Sequence, residues 1–490
     1  PRNQSNAAKV AADGDPKAKR ERRAAETTQS FVMNLFCGEG KVIQQFPYPQ
    51  VLDAEEIQMV EMVTEPMTKS WKPEDALRFE ENHAYDEKLW TMLKEMGSFG
   101  IQVPPEYGGI GFNNTQYGRL GEIMGRYDLS LGVALGAHQS IGFKGILLYG
   151  TDAQKKKWLP DLAAGKKIAC FCLTEPSAGS DASGIQTKAV LSADGKHFVM
   201  NGSKIWISNG GIADIFTVFA KTPAADGGKD KVTAFVVERG AGLTSGPPNK
   251  KMGIMASNTT EVFFDNVMIP VENVLGQVGG GFKVAMNILN NGRFGMAGAL
   301  AGSMRTCIEK ATEHANTRTQ FGQKLSTFGD IQEKIARMTL KHYVTESMAY
   351  MLRYLHIPFP SLIIEAYICA KIRRLADAAI DIYASVVVLS RASRALEKNL
   401  SSAGIEKKIA DLFCNEASVR IATNLSQLRG TQDLKNYSTM KAIAEEVLNN
   451  GATNLSQLRG TQDLKNYSTM KEIAAEVLNN GGVVQNHPLG

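Results

Sequence analysis

The chain has 490 residues, 43% apolar and 21% charged, enough for two or three domains with a substantial core and typical of an ordinary soluble globular protein. Its net charge of +5 is concentrated in residues 1–24, where seven Lys/Arg face three Asp/Glu, so no basic face on a folded element points to nucleic acid. No window approaches the roughly 18 uninterrupted apolar residues of a spanning helix, and seven scattered histidines without an HExxH or a Cys/His quartet argue against a metal site.

Taken in order, residues 1–45 read as a basic leader and linker. The sequence starts at Pro1 without a Met, so upstream residues are expected to be missing. The Ala-, Lys- and Arg-rich start fits either the remnant of an organelle transit region or a solvated disordered tail. Residues 46–167 read as a helical domain, with apolar positions recurring at three and four and caps at Ser70 and at Thr151-Asp152. From 168 to 275 the period changes to two: KHFVMNGSKIWIS, IFTVFAKT, KVTAFVVERG and EVFFDNVMIP are strand-like runs separated by turns, giving a central antiparallel β domain. Residues 276–372 return to a helical period as a partial bundle, and 373–490 as a helical appendage. The fold class is α+β, in the order helical, β, helical.

Six cysteines (Cys37, Cys170, Cys172, Cys307, Cys369 and Cys414) lie mostly in apolar runs and read as buried free thiols of a reducing compartment. Cys170 and Cys172 alternate with Phe171, as on a strand. Near the end, residues 422–451 recur at 452–481 and differ only at Ala442/Glu472 and Glu445/Ala475. Two copies are too few for a solenoid. A duplicated terminal helix or an error in the gene sequence explains them better than a binding array.

The stretch FCLTEPSAGSD (171–181) opens apolar and then turns into hydroxyls and small residues, which suits a backbone lying close to a ligand rich in acceptors. It is followed by NGSKIWISNGG, NNGRFGMAGALAG and NTRTQFGQKL. That ordered set resembles the acyl-CoA dehydrogenases, most closely their mitochondrial very-long-chain branch. The likeness runs from about Phe46 to Lys371 and resumes at Arg374. The resemblance implies an FAD enzyme of fatty acid β-oxidation acting on long and very-long-chain acyl-CoA. It also implies a homodimer, an electron-transferring flavoprotein as acceptor, and a mitochondrial location at the inner membrane or in the matrix. By the family's pattern Phe171, Cys172, Leu173, Thr174, Gly179 and Ser180 line the flavin, Trp206 stacks on it, Ser208 hydrogen-bonds near its N5, and Ile207 is a further cofactor contact. Arg318, Gln320 and Phe321 reach its adenosine diphosphate half, usually across a dimer interface; a planar, permanent guanidinium suits a pyrophosphate. Ser180, Asn290, Asn291, Gly292 and Arg293 border the acyl-CoA.

The reaction implied is removal of an α-proton and a β-hydride from a thioester, which calls for a positioned carboxylate and donors on the thioester oxygen. In the resembling branches the base is a Glu in a late E-G-T segment, or lies just before the residue matched by Arg293. Here Gly292 precedes Arg293, and the likeness passes from LIIEAYICAKI (362–372) directly to the appendage. A long stretch is absent near 372, and with it the base and the segment implied to mediate membrane association. The triplets Arg429-Gly430-Thr431 and Arg459-Gly460-Thr461 carry Arg where a carboxylate is required, and Glu365 matches a position without a catalytic role. Ile364, Ile368, Ile372, Leu375, Ala379, Ile382 and Val386 keep helical spacing through the join, which predicts one continuous helix. The alternative to an enzyme is a non-catalytic scaffold, since one relative of this architecture acts in respiratory complex I assembly.

Overall fold

The computed structural model describes residues 46–224, 227–354, 370–427 and 462–488. The leader, Cys37, Cys369, Glu365, both Arg-Gly-Thr triplets and most of the first repeat copy lie outside the described residues.

Helices α1 (Ala54–Ser70), α2 (Pro73–Asn82), α3 (Glu87–Glu95), α4 (Asn114–Tyr127), α5 (Leu129–Gly136), α6 (Lys144–Tyr149) and α7 (Asp152–Ala163) come first, with a π-helical segment, Ala137–Gly142, between α5 and α6. Thr151 caps α7 in a reciprocal box with Gln154, as the sequence predicts. Ser70 is not a cap: it ends α1, and α2 starts on Pro73 after Lys72, because proline needs no amide partner in a first turn. The run Leu129–Tyr149 has the length and hydropathy of a membrane span, but 67% of its 18-residue apolar window is buried in the protein, where β strands and a later helix cover it.

Eight strands form one sheet: β1 (Ala169–Cys172), β2 (Lys188–Leu191), β3 (His197–Ser208), β4 (Ile215–Thr222), β5 (Lys231–Glu238), β6 (Leu243–Ser245), β7 (Thr259–Pro270) and β8 (Val274–Leu275). The path is β6-β7-β3-β2-β4-β5-β8, with β1 added on β4. All pairs are antiparallel except β1 with β4 and the short β2 contact with β4. The sheet is therefore mixed, because β1 arrives from the helical layer and reaches β4 through a long crossover, which a parallel pair requires. Alternation buries Phe198, Met200, Phe216, Val218, Phe235 and Val237 on one face.

Helix α8 (Gly281–Thr317) then crosses the helical layer. It packs on α4 through small residues: a Cβ on Gly125 would lie 1.9 Å from the Ala299 carbonyl, and one on Gly302 equally close to the Glu122 carbonyl. Only glycine permits this approach, which Ser303 and Thr306 fasten by donating to the Gly125 and Arg126 carbonyls. A small hairpin, β9 (Thr319–Gln320) and β10 (Gln323–Lys324), leads to α9 (Gly329–Tyr354). Cys307 on α8 is exposed, unlike the buried Cys170, Cys172 and Cys414, because it falls on the outward face of the helix.

Next come helices α10 (Ala370–Glu397) and α11 (Ala403–Ser426), then α12 (Gln462–Asn479), which carries the second repeat copy. Within the described residues α10 is unbroken from 370 across the join at 372, with Ala379, Ile382 and Val386 buried. By contact density the chain forms two compact units, one holding 362–394 and 410–462 with the N-terminus to Tyr48, the other holding 49–361, 395–409 and 463–490. In the first, Arg420 grips Asp381 with a fork of hydrogen bonds at 2.7–3.2 Å. The second contains the helical layer, the sheet, α8, α9 and α12.

Candidate active site

The loop after β1 is built around an acid. Glu175, 4% exposed, pairs with Lys204 at 2.7 Å and accepts from the Gln186 and Thr187 amides at 2.5 and 3.0 Å. Lys204, fully buried, also donates to the Leu173 carbonyl at 3.1 Å. Burial opposes the charge on Glu175, but the ammonium of Lys204 and the surrounding donors hold its carboxyl below the ordinary value. Burial draws Lys204 down in turn. The pair draws 171–180 against β3, where the Ile205 amide donates to the Thr174 carbonyl at 3.0 Å. The motif's carboxylate is thus a structural clamp, a role the sequence did not disclose.

Beside it β3 breaks register between Lys204 and Ile207, and Trp206 sits in the left-handed region at φ 57° with 67% of its surface exposed. A tryptophan held at positive φ is strained, and strain of this kind gathers at ligand sites. Ile207 turns inward, 2% exposed, and Ser208 ends the strand. Asn209, at φ 62°, donates to the Ala134 carbonyl of α5 at 2.9 Å and fastens the strand end to the helical layer.

There a cavity of about 360 Å³ opens, lined from α4, α5, the π segment, Ser208 and α8. Its wall is largely apolar, with Leu93, Met96, Met124, Leu135 and Met296; its polar members are Ser98, Tyr117, Gln139, Ser140, Ser208 and Arg293. No Asp or Glu is among the described residues that line it. The Tyr117 and Ser140 hydroxyls are hydrogen-bonded to each other at the wall. The π segment is pinned from behind: the Ala169 amide donates to His138 Nδ1 at 2.9 Å, His138 Nε2 lies 3.1 Å from the Leu162 carbonyl, and Thr217 donates to the Gly142 carbonyl at 2.6 Å. An acceptor at Nδ1 fixes the neutral tautomer with its proton on Nε2, and burial lowers the His138 pKa to about 4.

The expected site residues fall into three groups. Thr174, Gly179 and Ser180 lie on the partly open loop after β1, tied to β3 at Thr174, whereas the side chains of Phe171, Cys172 and Leu173 are buried in the core. Phe171 packs on Phe219 and Cys172 on Cys170, so only their backbone can face a ligand. Gly292 and Arg293 line the cavity; Asn290 and Asn291 do not, Asn290 instead accepting from Arg293 at 3.0 Å and Asn291 donating back to the Asn287 carbonyl. Arg318, Gln320 and Phe321 lie on the exposed hairpin, Phe321 94% exposed at φ 52°. Tyr117, Gln139 and Ser140 were missed by sequence reasoning, for which the only cue was the run of small residues around GVALGAHQSIG.

Helices packed on one face of the sheet, with an apolar cavity where the end of β3 meets them, form a site shaped for an apolar ligand. Residues 53–166, 170–267 and 279–355 match the N-terminal, middle and C-terminal domains of acyl-CoA dehydrogenase, and 363–453 match the ACAD9/ACADV C-terminal domain. An acyl-CoA dehydrogenase of Bacillus subtilis is 40% identical over 275 residues, 55% of this chain and 72% of that protein. The chain belongs to the acyl-CoA dehydrogenase family. The human mitochondrial very long-chain specific acyl-CoA dehydrogenase is 59% identical over 338 residues, 68% of this chain and 52% of that protein, so the chain spans about half the length of such relatives. A solved acyl-CoA dehydrogenase complexed with FAD, from Bacillus anthracis, matches with a TM-score of 0.76 at 25% identity, over 92% of this chain and 99% of that one.

Proposed function

We propose that this chain binds FAD on the 174–180 loop and the Trp206–Ser208 strand end, and takes a long-chain acyl-CoA thioester into the adjoining cavity for α,β-dehydrogenation. The observation that carries this is that Ser208, from the flavin-like motif, lines one apolar cavity with Gly292 and Arg293, from the acyl-CoA-like motif. The residues fit a flavin. The strained, exposed indole of Trp206 has no aromatic ring stacked on it among the described residues, and the same loop and strand end carry the hydroxyls of Thr174, Ser180 and Ser208. When bound, the flavin supplies the hydride acceptor.

The chain's own residues bind and orient. Ser208 holds its hydroxyl at the cavity's β-domain end, the wall of Leu, Met and Gly residues excludes water from an acyl chain, and Arg293 brings a cation to the α8 side. Gly132 and Gly136 line the wall where added Cβ atoms meet only ordinary contacts, which supports room for a long chain. The exposed hairpin with Arg318, Gln320 and Phe321 supports a homodimer whose partner takes up the other end of the flavin. By analogy with the relatives, the proposal includes a mitochondrial location, in the matrix or at the inner membrane, and an electron-transferring flavoprotein as acceptor.

A second reading, a scaffold that binds acyl-CoA without turnover, is favoured by the lack of an Asp or Glu among the described lining residues. Loss of a general base typically costs about 10²–10⁴ in rate. One experiment separates the two: mix the 490-residue chain, purified with FAD, anaerobically with palmitoyl-CoA and follow the flavin absorbance. Prompt bleaching establishes dehydrogenation. Bound flavin that stays oxidised selects the scaffold, and failure to retain flavin overturns the dehydrogenase reading.

A further inference from the structure

Two hydroxyls on the cavity wall take no part in the binding roles assigned so far. Tyr117 opens the inward stripe of α4, which continues as Leu120, Gly121 and Met124 at helical spacing, and Ser140 faces it from the π segment. The two hydroxyls are hydrogen-bonded to each other and, among the described residues, to nothing else. They bring two protons, and the bond between them uses one. Whichever donates, the other keeps an O–H with no protein acceptor, on a wall where Ser140 is 7% exposed. Leaving that proton unspent in an apolar enclosure is costly, and donation within the pair makes it the better donor. Gln139, by contrast, is spent: its amide donates to the Ser98 carbonyl at 3.1 Å and accepts from the Ile101 amide at 3.3 Å.

Both hydroxyls stand on rigid supports. Helix α4 begins on a reciprocal box, the Gln116 amide donating to the Asn113 side chain at 2.9 Å and the Asn113 amide to that of Gln116 at 3.0 Å, so Tyr117 belongs to a fixed first turn. Ser140 is held through its neighbours, His138 bonded to the Ala169 amide and Gly142 to Thr217. Across the cavity the pair meets α8 at two glycines. A Cβ on Gly295 would lie 3.2 Å from the Tyr117 ring, and one on Gly292 would lie 3.6 Å from the Ser140 carbonyl. The pair therefore stands at the level of Gly292 and Arg293, the wall residues of the acyl-CoA-like motif. A saturated acyl chain is hydrocarbon along its length, and the one acceptor it brings against an apolar wall is its thioester carbonyl.

We propose that the Tyr117–Ser140 hydroxyl pair donates its remaining proton to the thioester carbonyl of the bound acyl-CoA, and so positions the thioester at the Gly292 end of the cavity. This rests on the acyl-CoA reading of the cavity, and it holds whether or not the chain turns its ligand over. The test compares palmitoyl-CoA with S-hexadecyl-CoA, a thioether with the same chain and no carbonyl oxygen, in equilibrium binding to the 490-residue chain purified with FAD. The unaltered chain is expected to hold palmitoyl-CoA about 2–10-fold more tightly, the worth of one hydrogen bond. Tyr117→Phe combined with Ser140→Ala should abolish that preference by weakening palmitoyl-CoA alone, whereas a merely structural pair would weaken both ligands equally. The infrared stretch of palmitoyl-CoA isotope-labelled at its carbonyl should fall on binding to the unaltered chain and recover in the double variant. Because the ligand preference and the carbonyl shift are read first in the unaltered chain, an unstable variant does not shield the assignment. Equal binding of the two ligands by the unaltered chain, or a preference that survives in the double variant, overturns the assignment and leaves the acyl-CoA reading standing. Binding of neither ligand overturns that reading and the assignment with it.

Discussion

Glu175, Trp206 and His138 each owe their role to their immediate neighbours. Lys204 is fully buried and its only carboxylate partner among the described residues is Glu175, so Glu175→Gln leaves a buried cation uncompensated. We expect that variant to lose about 3–5 kcal/mol in urea unfolding and to retain flavin poorly, since the same clamp holds 174–180. Adding Lys204→Met should restore much of the stability; a single variant of wild-type stability would refute the clamp. The Glu175 contribution is full above the ordinary carboxylate pKa and is lost as pH falls through the lower folded value. His138 acts at higher pH. Its folded pKa of about 4 lies below the ordinary imidazole value of 6.5, so its contribution is full above pH 6.5 and declines as pH falls toward 4. Between about pH 7 and pH 5 this amounts to about 2 kcal/mol. Asp128, raised to about 6 by burial, works in the opposite sense over the same range, so the comparison must be with His138→Gln. The variant should lack about 2 kcal/mol of the wild type's acid sensitivity, and parallel pH curves would exclude the assignment.

The cavity is a product of how three elements meet: α4, the α5–π segment, and α8. A π turn opens the backbone and is common at functional sites; here it presents Gln139, Ser140 and Ile141 to the cavity. Close approach of α4 and α8 at Gly125 and Gly302 fastens the two helices that wall it. Gly302→Val would drive a side chain into the Glu122 carbonyl and part the helices. Overpacking of this kind costs about 1–3 kcal/mol, read as a lower Tm, together with weaker retention of palmitoyl-CoA. An unchanged Tm would mean the helices yield at that point. At this scale the sequence was legible where periodicity speaks. β3, β4, β5 and β7 fall on the runs expected of them, and Thr151 caps α7. The π segment was not legible, because GAHQSIG has no period of its own and its turn is held from outside by Ala169 and Thr217. Nor was the parallel addition of β1 on β4, which depends on where the crossover loop runs.

For the molecule as a whole, period and composition determined the order helical, β, helical and the spacing of the motifs, because burying one face of a helix or strand writes itself into local pattern. The motifs named the family, and the uninterrupted spacing at 372 foretold a continuous α10 over its described length. Tertiary structure decided the rest. It turned the motif's acid into a clamp, sent Phe171 and Cys172 into the core, exposed Cys307, and joined Ser208 to Gly292 and Arg293 across one cavity. The physical reason is common to all of these: a side chain's role depends on which distant backbone or charge it meets, and such meetings leave no trace in local spacing.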